Sequence, residues 1–402
     1  MNVPAESGRE RIALVLAGGG ARGAYEFGAL AALAPALTES GQVPDIVVGT
    51  SIGALNGAFV ASHADEGFAT VADHGVEMWR ELGWRDALSS LASSALEPLL
   101  PALEALVGRS GDGAPGLLDP APLQDTLARL IPFERLERNV AAGALTAAAV
   151  VTTAYDTTRS VVFHHGGPDL EPDLVQAIDY VSTPLRREHV LASASIPGVF
   201  PAVEIREPAS IAGWYGDGGV RLNAPLAPAL ALGADRVVVV GLNSSVTSAR
   251  MSARPDAIDG FAQMVQVALA DQLASDVVTL ATVNESLADR ADPAGGRLRR
   301  VPYIFVAPQD RLEIGRLARD VYQRHYAGLK GLVHDRDLAL LGRLVETERN
   351  AVHGELLSYL FLAREFVDEL IALGRRDGER WLDARHDDGV WQIAPLRVPQ
   401  AP

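Results

Sequence analysis

The chain has 402 residues, 48% of them hydrophobic and 21% charged, a balance typical of a globular protein with a large core. Because it has no cysteine, disulfides and thiolate sites are excluded. The formal net charge of −16 argues against a nucleic-acid partner and against general electrostatic adhesion to anionic lipid. No apolar run approaches the roughly 18 residues of a spanning helix, and the run 12–17 is too short for a signal peptide, so we expect a cytoplasmic location.

The first predicted strand, over 11–17, leads directly into a glycine-rich loop and a helix over 24–33. The loop has the sequence Gly18-Gly19-Gly20-Ala21-Arg22-Gly23. Such a loop directs several backbone N–H groups toward one point and can hold an anion. The same residues satisfy the dinucleotide-binding pattern Gly-x-Gly-x-x-Gly, which requires an acid at the end of the second strand. The acid of that strand, Asp45, stands at the wrong end, which disfavours this interpretation.

The second predicted strand, Ile46 to Val48, ends in Gly49-Thr50-Ser51-Ile52-Gly53, and a small-residue helix follows. This is the Gly-x-Ser-x-Gly pattern of a nucleophile elbow. The serine occupies a strained corner, and Gly49 and Gly53 remove side chains that would collide with the turn. The hydroxyl of Ser51 is then held above a helix N-terminus, which favours developing negative charge. The alternative interpretation is a tight turn capped by a serine.

The two loops are expected to meet if their strands are parallel neighbours, because both then lie at the same carboxyl edge of the sheet. Backbone amides of Gly18–Gly20 would face Ser51 there and form an oxyanion hole, and each such donor is worth about 2.7–4 kcal/mol in the transition state. Arg22 would either add positive charge to this site or lock the loop.

The middle of the chain gives weaker signals. Segment 79–107 contains an amphipathic pattern, interrupted by prolines, which predicts either a mobile flap that touches lipid or an ordinary surface helix. Segments 144–154 and 159–165 predict a hairpin or two neighbouring strands. His164 and His165 lie at a strand end with no further ligand at metal spacing, so no metal site is expected.

The last part of the chain is predicted to be mainly helical. Strands are expected at 235–242 and 303–307, and one helix is expected over 356–373. Its apolar face either packs on the core or binds a partner, a membrane or a second copy in a homodimer; the face comprises Leu356, Leu360, Ala363, Phe366, Val367 and Leu370. A boundary near Asp335 divides the chain into a domain over 1–335 and a helical extension over 336–402.

Four sequence blocks carry a resemblance to a known family. They are Gly18-Gly19-Gly20-Ala21-Arg22-Gly23, Gly49-Thr50-Ser51-Ile52-Gly53, Ala192-Ser193-Ala194-Ser195-Ile196-Pro197-Gly198-Val199-Phe200-Pro201 and Asp217-Gly218-Gly219. In this order they resemble the four blocks of the patatin-like phospholipase family. The blocks cover the chain from about Arg11 to Asn223, and a weaker similarity in the order of strands and helices extends to about residue 330.

This resemblance implies an α/β fold, a three-layer α/β/α sandwich with a mostly parallel central sheet, and a helical C-terminal extension. It also implies a Ser51–Asp217 dyad that hydrolyses acyl esters of phospholipids, lysophospholipids or neutral lipids without a metal or another cofactor. The implied oxyanion hole consists of Gly18, Gly19 and Gly20. Supporting positions are Arg22, Gly23, Gly49, Gly53, Gly218 and Gly219.

An aspartate with its ordinary pKa of about 3.9 is a poor base for a serine hydroxyl, so the dyad requires a raised pKa. Burial of Asp217 beside Trp214 and Tyr215 would supply it. Two alternatives stay open: a lipid-binding module on the same fold without turnover, and an α/β-hydrolase that uses a histidine. The candidate histidines for the second alternative are His325, His334, His353 and His386.

Overall fold

The structure is a computed structural model that describes residues 10–83, 121–197, 199–222, 225–242, 272–287, 299–327 and 352–395. The strands in these residues are β1 Ile12–Leu16, β2 Ile46–Thr50, β3 Ala147–Ala154, β4 Ser160–Gly166, β5 Ile178–Ser182, β6 Val203–Ile205, β7 Gly213–Asp217, β8 Arg236–Val240 and β9 Tyr303–Val306. The α-helices are α1 Gly23–Glu39, α2 Ile52–Ser62, α3 Phe68–Glu81, α4 Ala121–Leu130, α5 Phe133–Ala141, α6 Arg187–Ser193, α7 Gly219–Leu222, α8 Leu226–Ala231, α9 Gln272–Ser286, α10 Glu313–His325, α11 Val352–Leu360 and α12 Arg364–Asp383.

One sheet organises the described part of the chain. Its main path has the order β5-β4-β3-β2-β1-β8-β9, and β7 pairs with both β3 and β6. All neighbouring strands from β3 through β2, β1 and β8 to β9 are parallel, whereas β4 is antiparallel to β3. The predicted α/β/α fold with a mostly parallel sheet is therefore confirmed, and the hairpin predicted from 144–165 is β3 and β4.

The centre of the sheet is built from short, nearly continuous apolar strands. All five residues of β1 and all five of β2 are buried, as expected for parallel strands covered by helices on both faces. Strands β5, β6 and β7 were not predicted from the sequence, because β5 and β6 bury only one residue each and the first two residues of β7 are partly or largely exposed.

The prediction of one helix over 356–373 is wrong, because α11 ends at Leu360 and α12 begins at Arg364. Between them Phe361 is fully buried, and its ring lies against those of Tyr322, Tyr326 and Phe366. The apolar spacing continues through the break, which is why the pattern gave a single helix. The break lets this aromatic cluster form.

Helix α12 packs closely along α1. A Cβ at Gly28 would collide with the carbonyl of Ile371, and one at Gly374 would collide with the carbonyl of Tyr25. The α12 side chains of Phe366, Val367 and Leu370 from the predicted apolar face are fully buried, so the part of this face that lies on α12 is occupied within the chain. No helix in the described ranges has the length and apolar character needed to cross a bilayer.

Candidate active site

Ser51 lies at the corner between β2 and α2, in the conformation that a nucleophile elbow requires. Its backbone has φ 55° and ψ −123°, a left-handed φ that is costly for a residue with a side chain. A Cβ at Gly49 would collide with the backbone of Gly53, and a Cβ at Gly53 would collide with the carbonyls of Leu16 and Ala17. The close approach of three backbone segments therefore explains both glycines of the motif.

Strand pairing explains how Asp217 reaches Ser51 across 166 residues. Strand β2 pairs with β3 up to Thr50 and Val151, and β4 covers the other side of β3. Beyond that point β7 takes the place of β2 beside β3, with Asp217 opposite Thr152. Asp217 thus lies one position past the end of β2, directly where the chain turns at Ser51.

The two side chains are in contact. The hydroxyl of Ser51 donates a hydrogen bond of 2.6 Å to Oδ2 of Asp217, and both residues are buried. The backbone N–H of Gly219 donates to the other carboxylate oxygen at 2.6 Å, which fixes the orientation of the carboxyl group. Burial raises the pKa of Asp217 to about 7, although the hydrogen bonds from Ser51 and Gly219 lower it in part. Trp214, expected to help bury this carboxylate, has a largely exposed side chain.

Helix α6 and the turn that follows it contact both members of this pair, a role that was not predicted for any residue. The hydroxyl of Ser193 accepts the backbone N–H of Ser51 at 2.8 Å and donates to the carbonyl of Val151 at 2.6 Å. The carbonyl of Ser195 accepts the backbone N–H of Asp217 at 2.9 Å. Both serines lie in the third sequence block, and their place in that block was the only feature of the sequence that could have indicated this role.

The glycine-rich loop lies beside the elbow. Leu16 at the end of β1 pairs with Gly49, so the loop at 18–20 and the corner at Ser51 leave the sheet at the same edge. Gly20 has φ +59°, and a Cβ there would collide with the carbonyl of Tyr359 in α11. Glycine is therefore required at this position both by backbone conformation and by the helix that packs on the loop.

Arg22 holds this loop to the C-terminal helices. The side chain is fully buried, and its Nη2 lies 2.7 Å from Oε2 of Glu355 and 2.9 Å from the Glu355 carbonyl. Its Nε donates to the Ser358 hydroxyl at 2.8 Å, and the guanidinium lies 3.9 Å from the centre of the Tyr359 ring. Burial lowers the pKa of Arg22, but Glu355 and Tyr359 together raise it by more, so the pKa lies above its ordinary value and Arg22 stays charged. Of the two roles considered for Arg22, the structure supports the lock.

A second buried network joins the two loops from the side of α1. The carboxyl group of Glu26 accepts the backbone N–H of Ala17 at 3.0 Å and the side-chain amide of Asn56 at 2.7 Å. The Trp79 indole N–H donates to Asn56 at 3.0 Å. Burial raises the pKa of Glu26 to about 8. The sequence signal for this network was Glu26, the one acid among the apolar residues of the first turns of α1, and it was not used in the prediction.

The remaining predicted positions are placed as follows. A Cβ at Gly23 would press on Ile52 and Trp79, and one at Gly218 would collide with the carbonyl of Val151. Asp45 binds the N–H of Ile12 at the amino end of β1, far from the glycine loop, in agreement with the argument against a dinucleotide site. Of segment 79–107, residues 84–107 lie outside the described residues.

The candidate histidines do not contact Ser51 in the described residues. His386 stacks on Trp381 and bonds its carbonyl at 2.7 Å, and His325 lies at the exposed end of α10. His334 and the side chain of His353 lie outside the described residues. His164 bonds the carbonyl of Gly166 at 2.9 Å. Among the described residues, no group of three His, Asp or Glu side chains could hold a metal ion.

Comparison with known proteins identifies the family. Residues 14–230, more than half of the chain, match the family model described as patatin-like phospholipase. The chain therefore belongs to the patatin-like phospholipase family, and the matched range contains both Ser51 and Asp217. The search of curated proteins gives no match.

Two solved structures resemble parts of the chain. VipD from Legionella pneumophila matches with 14% identity and a TM-score of 0.28, over 75% of this chain and 62% of VipD. Full-length ExoU from the type III secretion system of Pseudomonas aeruginosa, in complex with SpcU, matches with 15% identity and a TM-score of 0.25, over 87% of this chain and 74% of ExoU. This chain thus spans less than two thirds of the length of VipD, and at these scores neither likeness carries an argument about function.

Proposed function

We propose that the protein is a serine lipid acyl hydrolase of the phospholipase A or lysophospholipase type, in which Ser51 is the nucleophile and Asp217 the base. The observation that carries the proposal is the 2.6 Å hydrogen bond from the Ser51 hydroxyl to a buried carboxylate, at a nucleophile elbow, in a member of the patatin-like phospholipase family. These parts suit nucleophilic catalysis through an acyl-enzyme.

The reaction has two halves. Ser51 Oγ attacks the acyl carbonyl carbon while its proton passes to Oδ2 of Asp217, and the tetrahedral oxyanion forms beside the loop at 18–20. The ester C–O bond then breaks, and Asp217 returns the proton to the departing alcohol oxygen. In the second half Asp217 takes a proton from water, the hydroxide oxygen attacks the acyl-Ser51 carbonyl, and Ser51 leaves as a free hydroxyl with the proton from Asp217.

Two physical features support these roles. The pKa of Asp217 near 7 matches a base that must accept and return a proton near neutral pH. Amides of Gly18, Gly19 and Gly20 are proposed as the oxyanion hole, since their loop leaves the sheet beside Ser51 and the Arg22–Glu355 pair holds the adjoining turn rigidly. We also propose that the protein binds peripherally to the lipid surface that contains its substrate.

Turnover of a panel of acyl esters by three variants tests this proposal. Ser51→Ala and Asp217→Asn are each expected to lose hydrolysis of phospholipid, lysophospholipid and soluble short-chain esters while the fold persists by circular dichroism. The matched control is Ser40→Ala, since this exposed hydroxyl bonds only near the end of α1. Full activity of Asp217→Asn would reject the dyad.

The same panel decides between the alternatives. A chain that binds lipid but turns over no ester, with Ser51 and Asp217 intact, would be a binding module. Replacing His325, His334, His353 and His386 one at a time is expected to leave turnover unchanged. Loss of turnover in one folded histidine variant would instead favour a histidine-dependent α/β-hydrolase.

A further inference from the structure

Four exposed apolar side chains, which the proposed reaction does not use, lie at the ends of strands or in the turn before β5. Tyr155 is 48% exposed, Trp214 55%, Leu174 81% and Val175 96%. We call these four residues the apolar rim. Single exposed apolar residues are normal on protein surfaces, so the apolar rim indicates a binding surface only because its four residues lie at the same edge of the sheet.

The aromatic half of the apolar rim lies beyond the candidate dyad. Trp214 precedes Asp217 by three residues of extended strand, which corresponds to about 10 Å. The backbone N–H of Tyr155, just past the end of β3, donates to the carbonyl of Trp214 at 3.0 Å. The two aromatic residues are therefore neighbours, and both lie past the carboxyl edge of the sheet at which Ser51 turns.

The aliphatic half projects from the same edge. Ile178 at the start of β5 pairs with Ser160, and Ser160 pairs with Thr153 of β3, which lies past the end of β2. The turn that carries Leu174 and Val175 comes immediately before Ile178, so it extends in the same direction as the end of β3. Because β5 is three strands from β2, the turn lies about 15 Å to the side of the elbow.

The tip of this turn has its own hydrogen bonds. Asp173 and Ile178 form a bridge, and the Asp173 carboxylate accepts the backbone N–H groups of Val175 at 2.8 Å and Gln176 at 2.9 Å. These amides need no water to satisfy them. The N–H groups of Val175 and Gln176 therefore keep their hydrogen bonds when Leu174 and Val175 enter an apolar layer, which lowers the cost of insertion.

The charges around the apolar rim restrict what it can contact. Arg159 is paired with Asp179 at 2.7 Å, and Arg206 is paired at 2.6 Å with Glu204, the residue opposite Trp214. Asp173 adds negative charge at the tip, and the whole chain has a formal net charge of −16. Electrostatics therefore oppose an anionic surface, and the apolar side chains suit a surface without net charge.

We propose that the apolar rim docks onto the surface of uncharged or zwitterionic lipid and thereby brings the carboxyl edge of the sheet, with Ser51 and Asp217, to the ester bonds. This proposal rests on the proposed lipid hydrolase function. The driving force is the transfer of aliphatic and aromatic surface out of water, so binding is insensitive to salt.

Vesicle flotation with the full chain tests the docking. The Ser51→Ala background is used so that no lipid is consumed, and vesicles contain phosphatidylcholine alone or phosphatidylcholine mixed with phosphatidylglycerol. Leu174→Ser combined with Val175→Ser is expected to weaken binding to phosphatidylcholine by at least about tenfold, given the transfer energy of buried aliphatic side chains. Val175→Trp is expected to strengthen it. The matched control is Val278→Ser, since Val278 is 49% exposed on α9.

Activity measurements on the same substitutions with Ser51 intact separate the two proposals. The double variant is expected to lose hydrolysis of vesicle lipid and to keep hydrolysis of a soluble short-chain ester, with KM for vesicles rising more than kcat falls. If wild type hydrolyses no ester but the double variant still loses vesicle binding, the proposed function fails and the docking stands.

Three results would overturn the docking proposal. One is equal binding of phosphatidylcholine by wild type and the double variant. Another is binding that requires phosphatidylglycerol and disappears as the salt concentration rises. The last is failure of the wild-type chain to float with either kind of vesicle.

Discussion

The contact between Arg22 and Glu355 joins the glycine-rich loop to a helix 333 residues further along the chain. Both side chains are only 1% exposed. The second oxygen of the Glu355 carboxylate accepts the backbone N–H of Gly315 at 2.9 Å. Replacing Glu355 by alanine therefore removes the carboxylate from a buried guanidinium and the acceptor from a buried amide at once.

The expected cost follows from this geometry. Removing one partner of a buried ion pair costs about 3–5 kcal/mol, because the other charge stays buried without compensation. Glu355→Ala is therefore expected to lower the free energy of unfolding by that amount, and Glu355→Gln by less, since one acceptor oxygen remains. If the loop at 18–20 also loses its position, kcat is expected to fall as well, by up to the roughly 10²–10³-fold that one oxyanion donor contributes.

The assay combines urea unfolding with kinetics on a soluble short-chain ester. Glu369→Ala is the control, because its 3.4 Å pair with Arg324 is exposed and such pairs contribute about 0–1 kcal/mol. In Arg22→Met with Glu355→Met, no charge stays buried, so stability is expected to recover in part while kcat stays low. Equal unfolding midpoints and equal kcat for Glu355→Ala and Glu369→Ala would refute the reasoning.

Three further predictions concern the dyad. Because only ionised Asp217 can take the Ser51 proton, kcat/KM should rise with pH through about 7; an acid limb near 4 would contradict this. The folded pKa of Asp217 lies above the ordinary value of 3.8, because burial favours the neutral carboxyl group over the carboxylate. The stability that this group contributes is fully present below pH 3.8 and is lost as pH rises through about 7. Asp217→Asn should therefore be more stable than wild type by up to about 4 kcal/mol at pH above 7, with no advantage at low pH, measured by urea unfolding at each pH. Ser193→Ala removes the acceptor of the buried Ser51 N–H and a donor to the Val151 carbonyl, so it should cost about 1–3 kcal/mol and lower kcat on soluble ester, whereas Ser40→Ala should do neither.

The sequence allowed much of the fold to be predicted, because local sterics and periodicity act within a few residues. The strands around Val15 and Val48, the elbow at Ser51 and the helices that follow each strand were all predicted correctly. Gly49 and Gly53 were explained by crowding in the turn, and the structure shows that crowding. Asp217 was singled out only by resemblance to a family, since an aspartate before two glycines is by itself an ordinary turn signal.

The sequence alone could not predict the long-range contacts that build the site. The pairing of β7 with β3 is set by where β2 ends, and this places Asp217 against Ser51. Ser193, Glu26 and Glu355 lack a local pattern that names their partners, because a buried hydrogen bond depends on which surfaces pack together. The break at Phe361 likewise depends on the rings around it.

The amino-acid sequence by itself determined the local geometry: a strained serine between two obligatory glycines and a loop of small residues after the first strand. Only the tertiary structure decided which carboxylate meets that serine, which helix holds the loop, and which apolar side chains remain exposed at the edge. The physical reason is the distance along the chain over which each kind of interaction acts. Backbone sterics reach a few residues along the chain, whereas burial and hydrogen bonding select partners hundreds of residues apart.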